Sequence, residues 1–207
     1  MKPTNKLMKR LSLYLFLIFF TLQTPSWADD IRDFEIEGMS LGDSALDYFS
    51  ENEIKNNTKK YYDDMTNFPF VAIEIYQHSL FKNYSGVQFH VKKNDKKYKI
   101  YSISGYDFYD NDIKGCYKKQ DEIEKEIFSM FNEVKKKNWG ILVLNLQGEA
   151  TEGSTYKPIS FDFNTGDRIS ISCYHYSNTP QIDNLKITLT SKEFKEYLKE
   201  DAVPANN

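Results

Sequence analysis

Apolar residues recur along this chain at two spacings, about 3.6 and about 2, and the switching between them predicts an α+β domain with a mainly antiparallel sheet. Residues 38–49 read as a short helix begun near Ser40, with Leu41, Ala45 and Leu46 inward. A second short helix follows, where Ser50 and Glu53 have the spacing of a capping box and Phe49 and Ile54 that of a hydrophobic staple. From 69 to 104 the period is that of strands. Val71, Ile73 and Ile75 alternate with Ala72, Glu74 and Tyr76, and Val87, Phe89 and Val91 alternate with Gln88, His90 and Lys92. Asn94-Asp95 turns the chain into a strand over 97–103, whose alternation breaks near Tyr101 as at a bulge.

One long central helix is expected within 117–137, because Ile123, Ile127, Phe131 and Val134 share a face and lysines gather at its end, with Gly140 as the stop. Residues 141–146 have apolar side chains in both phases and read as a strand covered on both faces. Residues 147–157 read as an exposed loop. A hairpin follows, with Ile159, Phe161 and Phe163 on one side, a turn at 164–167, and Ile169, Ile171 and Cys173 returning on the same side. Leu185, Ile187 and Leu189 make a third strand with Lys186 and Thr188 outward. A short C-terminal helix opens with Thr190 and Glu193 as capping box and Leu189 and Phe194 as staple, and 201–207 form a disordered tail.

The N-terminus changes the picture from a fold to a compartment. Lys2, Lys6, Lys9 and Arg10 precede an apolar run over 11–20, and Ser26-Trp27-Ala28 places small residues where a signal peptidase requires them. Residues 1–28 therefore read as a secretory signal peptide, and the mature protein as periplasmic or secreted with no transmembrane segment, since no later stretch reaches the roughly 20 apolar residues of a spanning helix. The mature part, 29–200, is long enough for one domain, or for two tightly packed lobes over 29–137 and 138–200. Without the leader, 23 Lys and Arg stand against 30 Asp and Glu, a net charge of −7. With its lysines scattered, such a chain has no concentrated basic face for nucleic acid. Its Lys, Asn, Ile and Tyr content and its leader point to a bacterial source with an AT-rich genome.

Cys116 and Cys173 are the two cysteines, and in an oxidising compartment they are expected to form a disulfide. Candidates for chemistry are few. His78, His90 and His175 lack the spacing of a zinc site. His175 and Asp183 could be joined with a serine into a triad, but no Gly-x-Ser-x-Gly elbow accompanies them, and His175 reads as a strand-end residue. Asp110, Asp112, Gly115 and Asp121 have some of the spacing of a calcium loop, with Lys114 where the fifth ligand belongs. Asp43 and Asp47 fall at i, i+4 on the first predicted helix, without a cleft to make them an acid and base pair. No catalytic residue, metal site or cofactor is assigned.

Tyrosines supply the other signal. Tyr101, Tyr106, Phe108, Tyr109, Tyr156, Tyr174 and Tyr176 fall on strand ends, loops or the outward phase. On the strand over 167–176 the pleat turns Arg168, Ser170, Ser172, Tyr174 and Tyr176 away from the core, and Arg168, Tyr174 and Tyr176 are the expected binding residues. The alternatives are a solvated face or one covered by the 117–137 helix.

The segment 38–49, Gly115-Cys116-Tyr117, Gly166, Ser172-Cys173-Tyr174, Asp183-Asn184-Leu185 and Lys192-Glu193-Phe194 resemble small exported proteins of unknown function from marine alphaproteobacteria of the Pelagibacter type. More distantly, the Gly-Met-Ser start before two short helices and a sheet looks like the outer-membrane assembly lipoprotein (SmpA/OmlA) and β-lactamase-inhibitor-protein group. That resemblance implies protein binding in the envelope. It does not carry over membrane anchoring, because no lipobox cysteine stands near Ala28. The expectation is an exported, non-catalytic binding protein of the cell envelope whose partner is another envelope or secreted protein or an envelope component. An exported hydrolase is the alternative and a structural envelope protein the third reading.

Overall fold

The computed structural model describes residues 30–61, 68–131, 133–144 and 152–201. The leader, its cleavage site, the end of the expected 141–146 strand and residues 202–207 of the tail lie outside them. Nine strands form one antiparallel sheet: β1 (Thr58–Lys59), β2 (Phe70–Tyr76), β3 (Gly86–Lys92), β4 (Ser102–Phe108), β5 (Lys135–Asn138), β6 (Leu142–Val143), β7 (Thr155–Asp162), β8 (Arg168–His175) and β9 (Asn184–Thr190). Their order is β1-β2-β3-β4-β9-β8-β7-β5, with β6 also on the edge of β7. The last strand in sequence thus sits between β4 and β8 and joins two meanders into one surface.

The register sets two faces. One carries Ile73, Phe89, Ile103, Leu189, Ile169 and Phe161 side by side, then Ile75, Val87, Gly105, Ile187, Ile171 and Ile159. Every one of these apolar side chains is buried. Over this face lie residues 30–57, which include α1 (Glu51–Asn56), and α2 (Ile113–Met130), which presents Cys116, Ile123 and Ile127 to the strands. Cys116 and Cys173 are bonded, so α2 is tied covalently to β8. Gln120, one turn on, is fully buried and donates from Nε2 to the carbonyls of Lys157 (2.6 Å) and Ile171 (3.0 Å). Gly105 is required here, because a Cβ at that position would stand 2.6 Å from the ring of Tyr84.

Several local expectations change. Residues 38–49 form a turn and one 3-10 turn, Ala45–Asp47, because Gly38 (φ 79°) and Gly42 (φ 97°) take left-handed conformations that interrupt a helix. Leu46 is consequently exposed, while Leu41 and Ala45 are buried. The second helix starts as expected: Ser50 accepts from the Glu53 amide and Glu53 returns the bond to the Ser50 amide at 2.9 Å. Residues 96–101 turn instead of extending, with Tyr98 at φ 48° and Asp95 accepting from the Lys97 and Lys99 amides, so β4 begins only at Ser102.

The long helix begins and ends earlier than its periodicity implies. Asp112 caps it by accepting from the Gly115 amide at 2.9 Å, and at its end Phe131 becomes extended and packs edge-on against Phe163 at 4.9 Å. The lysines at 135–137 then pair with β7 as an exposed edge strand, which suits their charge. Only Leu142–Val143 of the 141–146 run is a strand among the described residues, and Ile141 and Val143 are exposed instead of covered. The loop expected over 147–157 ends sooner, since Thr155 already opens β7 and Ser154 is buried. Thr190 closes β9, and Ser191 caps α3 (Lys192–Asp201) by accepting from the Phe194 amide. Leu189 and Phe194 therefore belong to opposite faces of the sheet and form no staple.

Candidate binding face

Among the described residues, the second face of the sheet is covered at one end only. There α3 lays Phe194 against Phe68, Phe70 and Tyr101, beside His90 at 4.4 Å between ring centroids. Beyond α3 the rows turn polar and aromatic. Across the strands run Glu74, Gln88, Ser104, Thr188, Ser170 and Ser160, and in the next row Tyr76, Gly86, Tyr106, Lys186, Ser172 and Pro158. Phe108, Asn184, Tyr174, Tyr156 and Leu142 make a third row.

Two aromatic groups flank Lys186. On one side the ring of Tyr76 lies over Gly86, where a Cβ would approach it to 2.2 Å, and runs nearly parallel to Phe108. On the other side Tyr156, Tyr174 and Tyr176 are near-parallel in succession, with centroids 5.7 and 6.2 Å apart. Between them a side-chain chain links β2, β3 and β9 across β4 and reaches back to the β1 edge. Tyr61 donates to Glu74 (2.9 Å), Gln88 donates to Glu74 (2.6 Å), and Lys186 donates to Gln88 (3.2 Å) while its Nζ stands 5.0 Å from the ring centre of Tyr106. Burial pushes the Lys186 ammonium below the usual lysine range, against the pull of Tyr174 and Glu74. It pushes the Tyr76 and Tyr61 hydroxyls up, helped at Tyr61 by the bond to Glu74.

Beside Lys186 a groove of about 380 Å³ opens between β4 and the β5–β6 edge, bordered by Trp139, Leu142 and Tyr156. Its floor is hydroxyl-rich. Among the described residues, Ser160, 3 % exposed, makes no hydrogen bond through its Oγ, and the buried Asn184, on the same face, makes none through Oδ1. Thr188 shares a hydrogen bond with Ser104 at 2.9 Å.

Arg168, Tyr174 and Tyr176 all lie on this side, as the pleat of β8 requires, and α2 covers the opposite side. Arg168 sits at the rim and is held by Asp162, to which its Nε and Nη2 donate at 2.8 and 3.0 Å. Burial raises the Asp162 carboxyl, but the Arg168 fork and Lys195 outweigh it and hold the group below the usual carboxylate range. Glu74, Gln88, Tyr76 and Ser160 were not singled out in the sequence. Their outward phase was visible, whereas their meeting with Lys186 depends on a register between strands as much as 98 residues apart.

The other candidates separate. His175 ends β8 and its Nδ1 lies 2.9 Å from Asp183, which also accepts from the Tyr176 amide at 2.8 Å. This pair ties the β8–β9 loop on the α2 side of the sheet, and among the described residues the His175 side chain makes no other hydrogen bond. Ser154, next to the residue that pairs with His175, exchanges bonds with the backbone of Ser177. The 110–121 segment is no loop: α2 starts at Ile113, and Asp121 pairs with Lys157 at 3.3 Å. Asp43 and Asp47 do not share a helix face, and Asp43 instead accepts from the Ser40 amide and the Tyr48 hydroxyl. Among the described residues no group of three or more His, Cys, Asp or Glu could hold a metal ion, and no helix is long and apolar enough to cross a membrane.

Compared with protein-family models, with curated proteins and with solved structures, the chain matches none.

Proposed function

We propose that this is an exported, non-catalytic binding protein of the cell envelope, and that it engages its partner with the open sheet face around Lys186, with Tyr174, Tyr176 and the rim residue Arg168 among the contacts. The observation that carries the reading is the combination on one surface, uncovered among the described residues, of clustered tyrosines with polar side chains that the fold keeps buried. Glu74, Gln88, Ser104 and Ser160 are all buried on a face that no helix among the described residues covers beyond α3. Glu74, Gln88 and Ser104 are satisfied within a buried side-chain network and the Ser160 hydroxyl, among the described residues, is not, and a polar network kept desolvated on such a face suits recognition better than an apolar face would. Tyrosine adds flat amphipathic area of the kind enriched at interface hot spots.

The test uses the full chain with its leader, purified from the compartment it reaches and mixed with washed envelope. Retention on the envelope should fall at least about tenfold in the Tyr174→Ala, Tyr176→Ala double variant, because hot-spot truncations typically cost about 2 kcal/mol or more. Unchanged retention would remove the face from the account. Intact mass should begin at Asp29; a chain that keeps its leader would remove export. The hydrolase reading has one observation in its favour, the His175–Asp183 contact. It requires His175→Ala to abolish function while leaving retention intact, whereas the binding reading requires the tyrosine pair to matter and His175 not to.

A further inference from the structure

We propose that the groove beside Lys186 takes an acidic saccharide, a sugar ring carrying a carboxylate, with the carboxylate against the Lys186 ammonium and the ring against the Tyr156–Tyr174 pair. The inference rests on the open face being the binding surface and names the chemistry of its ligand.

The charge of the groove favours an anion. The chain is acidic overall, yet the residues bordering this groove include two cations, Lys186 and Arg168, and no carboxylate. Arg168 is neutralised by its fork to Asp162. Lys186 is not neutralised: among the described residues it makes no ion pair, and its one hydrogen bond goes to the neutral amide of Gln88. Glu74, the carboxylate at the end of that relay, is already occupied by Gln88 and Tyr61. A half-buried ammonium has three donors. With one used, the others are matched best by an anion entering the groove, and burial strengthens that attraction by removing competing water.

The remaining lining decides between kinds of anion. Phosphate or a nucleotide would favour several clustered cations, and of the two cations that line the groove Lys186 alone is outside an ion pair among the described residues, with Lys137 turned onto the Trp139 ring at the rim. An extended peptide would pair with backbone at a sheet edge, but the groove floor lies within the sheet, where β9, β8 and β7 already pair with one another. What the floor offers is side-chain hydroxyls at the spacing of neighbouring strands, roughly 4.8 Å, which suits ring hydroxyls. Ser160 Oγ is buried there without a partner among the described residues, so it has both a donor and acceptor capacity to give. The aromatic wall of Tyr156, Tyr174 and Trp139 supplies flat apolar surface for the C–H face of a sugar.

The probes are an oligogalacturonate, the same chain methyl-esterified, a glycan fragment containing muramic acid, and a neutral cello-oligosaccharide of equal length, each titrated calorimetrically into the purified full chain. The proposal expects saturable binding of at least one carboxylate-bearing probe, weakened about tenfold or more by esterification and by Lys186→Met, as one lost charge-assisted hydrogen bond implies. The ratio of the uronate and muramic acid affinities then distinguishes a polysaccharide source from the wall. Because esterification changes only the ligand, the prediction does not depend on the variant folding. Equal binding of neutral and acidic probes, or binding indifferent to Lys186→Met, would overturn it. If no saccharide binds, or protease treatment of the envelope abolishes retention, the ligand class falls while the tyrosine double variant still tests the face itself.

Discussion

The two faces of this sheet come from the same strands, and neighbouring residues on one strand belong to opposite regimes. On β7, Phe161 points into the core under α2 and Ser160 points into the open groove; on β8, Ile171 and Ser172 divide in the same way. Both members of each pair are buried, yet for different reasons. Phe161 and Ile171 are enclosed by α2, and their burial is the main stabilising term of the domain. Ser160, Ser172, Gln88 and Glu74 are buried on the other face, which no helix among the described residues covers beyond α3. Burial on this molecule is therefore of two kinds, one that drives folding and one that keeps polar groups desolvated on the face proposed to bind.

Substitutions across that divide should separate the two kinds. Phe161→Ala should destabilise by about 3–5 kcal/mol in urea unfolding, the cost of removing a fully enclosed ring. Ser160→Ala, one residue away, should stay within about 1 kcal/mol or stabilise, because its hydroxyl has no partner to lose among the described residues. Similar losses for both would erase the distinction. Removing the Cys116–Cys173 bond, which spans 57 residues, should cost about 4 kcal/mol by restored freedom of the unfolded chain, read as a shift of the urea midpoint with and without reductant.

His90 extends the comparison to the end of the face that α3 does cover. Burial, with a smaller push from Lys186, lowers its imidazole to about 3. In the unfolded chain it titrates near 6.5. Below that pH the unfolded chain takes up a proton that the folded chain refuses, so the stability is complete above about pH 6.5. It should fall by about 1.4 kcal/mol per pH unit down to about pH 3. His90→Leu should flatten that slope; a slope that persists would assign the acid sensitivity elsewhere. The smallest effect is expected at Lys186→Met, which replaces a desolvated cation by an apolar side chain of similar size and should change stability by less than about 1 kcal/mol in either direction.

The legible parts of the fold were those decided by neighbours in sequence. The Ser50–Glu53 cap, the turn at Gly166 (φ 95°) and the phase of Ile169, Ile171 and Cys173 each follow from a few adjacent residues. Cys116 and Cys173, the pair expected in an oxidising compartment, are likewise bonded. Helix 117–137 failed at its end because nothing local separates Phe131 from the helix; Phe163, 32 residues on, takes it out of the spiral. The staple drawn between Leu189 and Phe194 failed because a one-residue shift of the cap, from Thr190 to Ser191, moves Phe194 across the sheet. On the candidate face, the outward placement of Tyr174 and Tyr176 was legible from the pleat of one strand. The Tyr61–Glu74–Gln88–Lys186 chain was not, since β9 reaches β4 only through the order of the whole sheet.

The most direct measurement is hydroxyl-radical footprinting of the full chain, alone and with washed envelope. Binding through the open face predicts protection of Tyr76, Tyr156, Tyr174 and Tyr176, with Tyr98 and Tyr117 on the α2 side unchanged. Protection confined to Tyr98 and Tyr117, or no protection at saturating envelope, would contradict it.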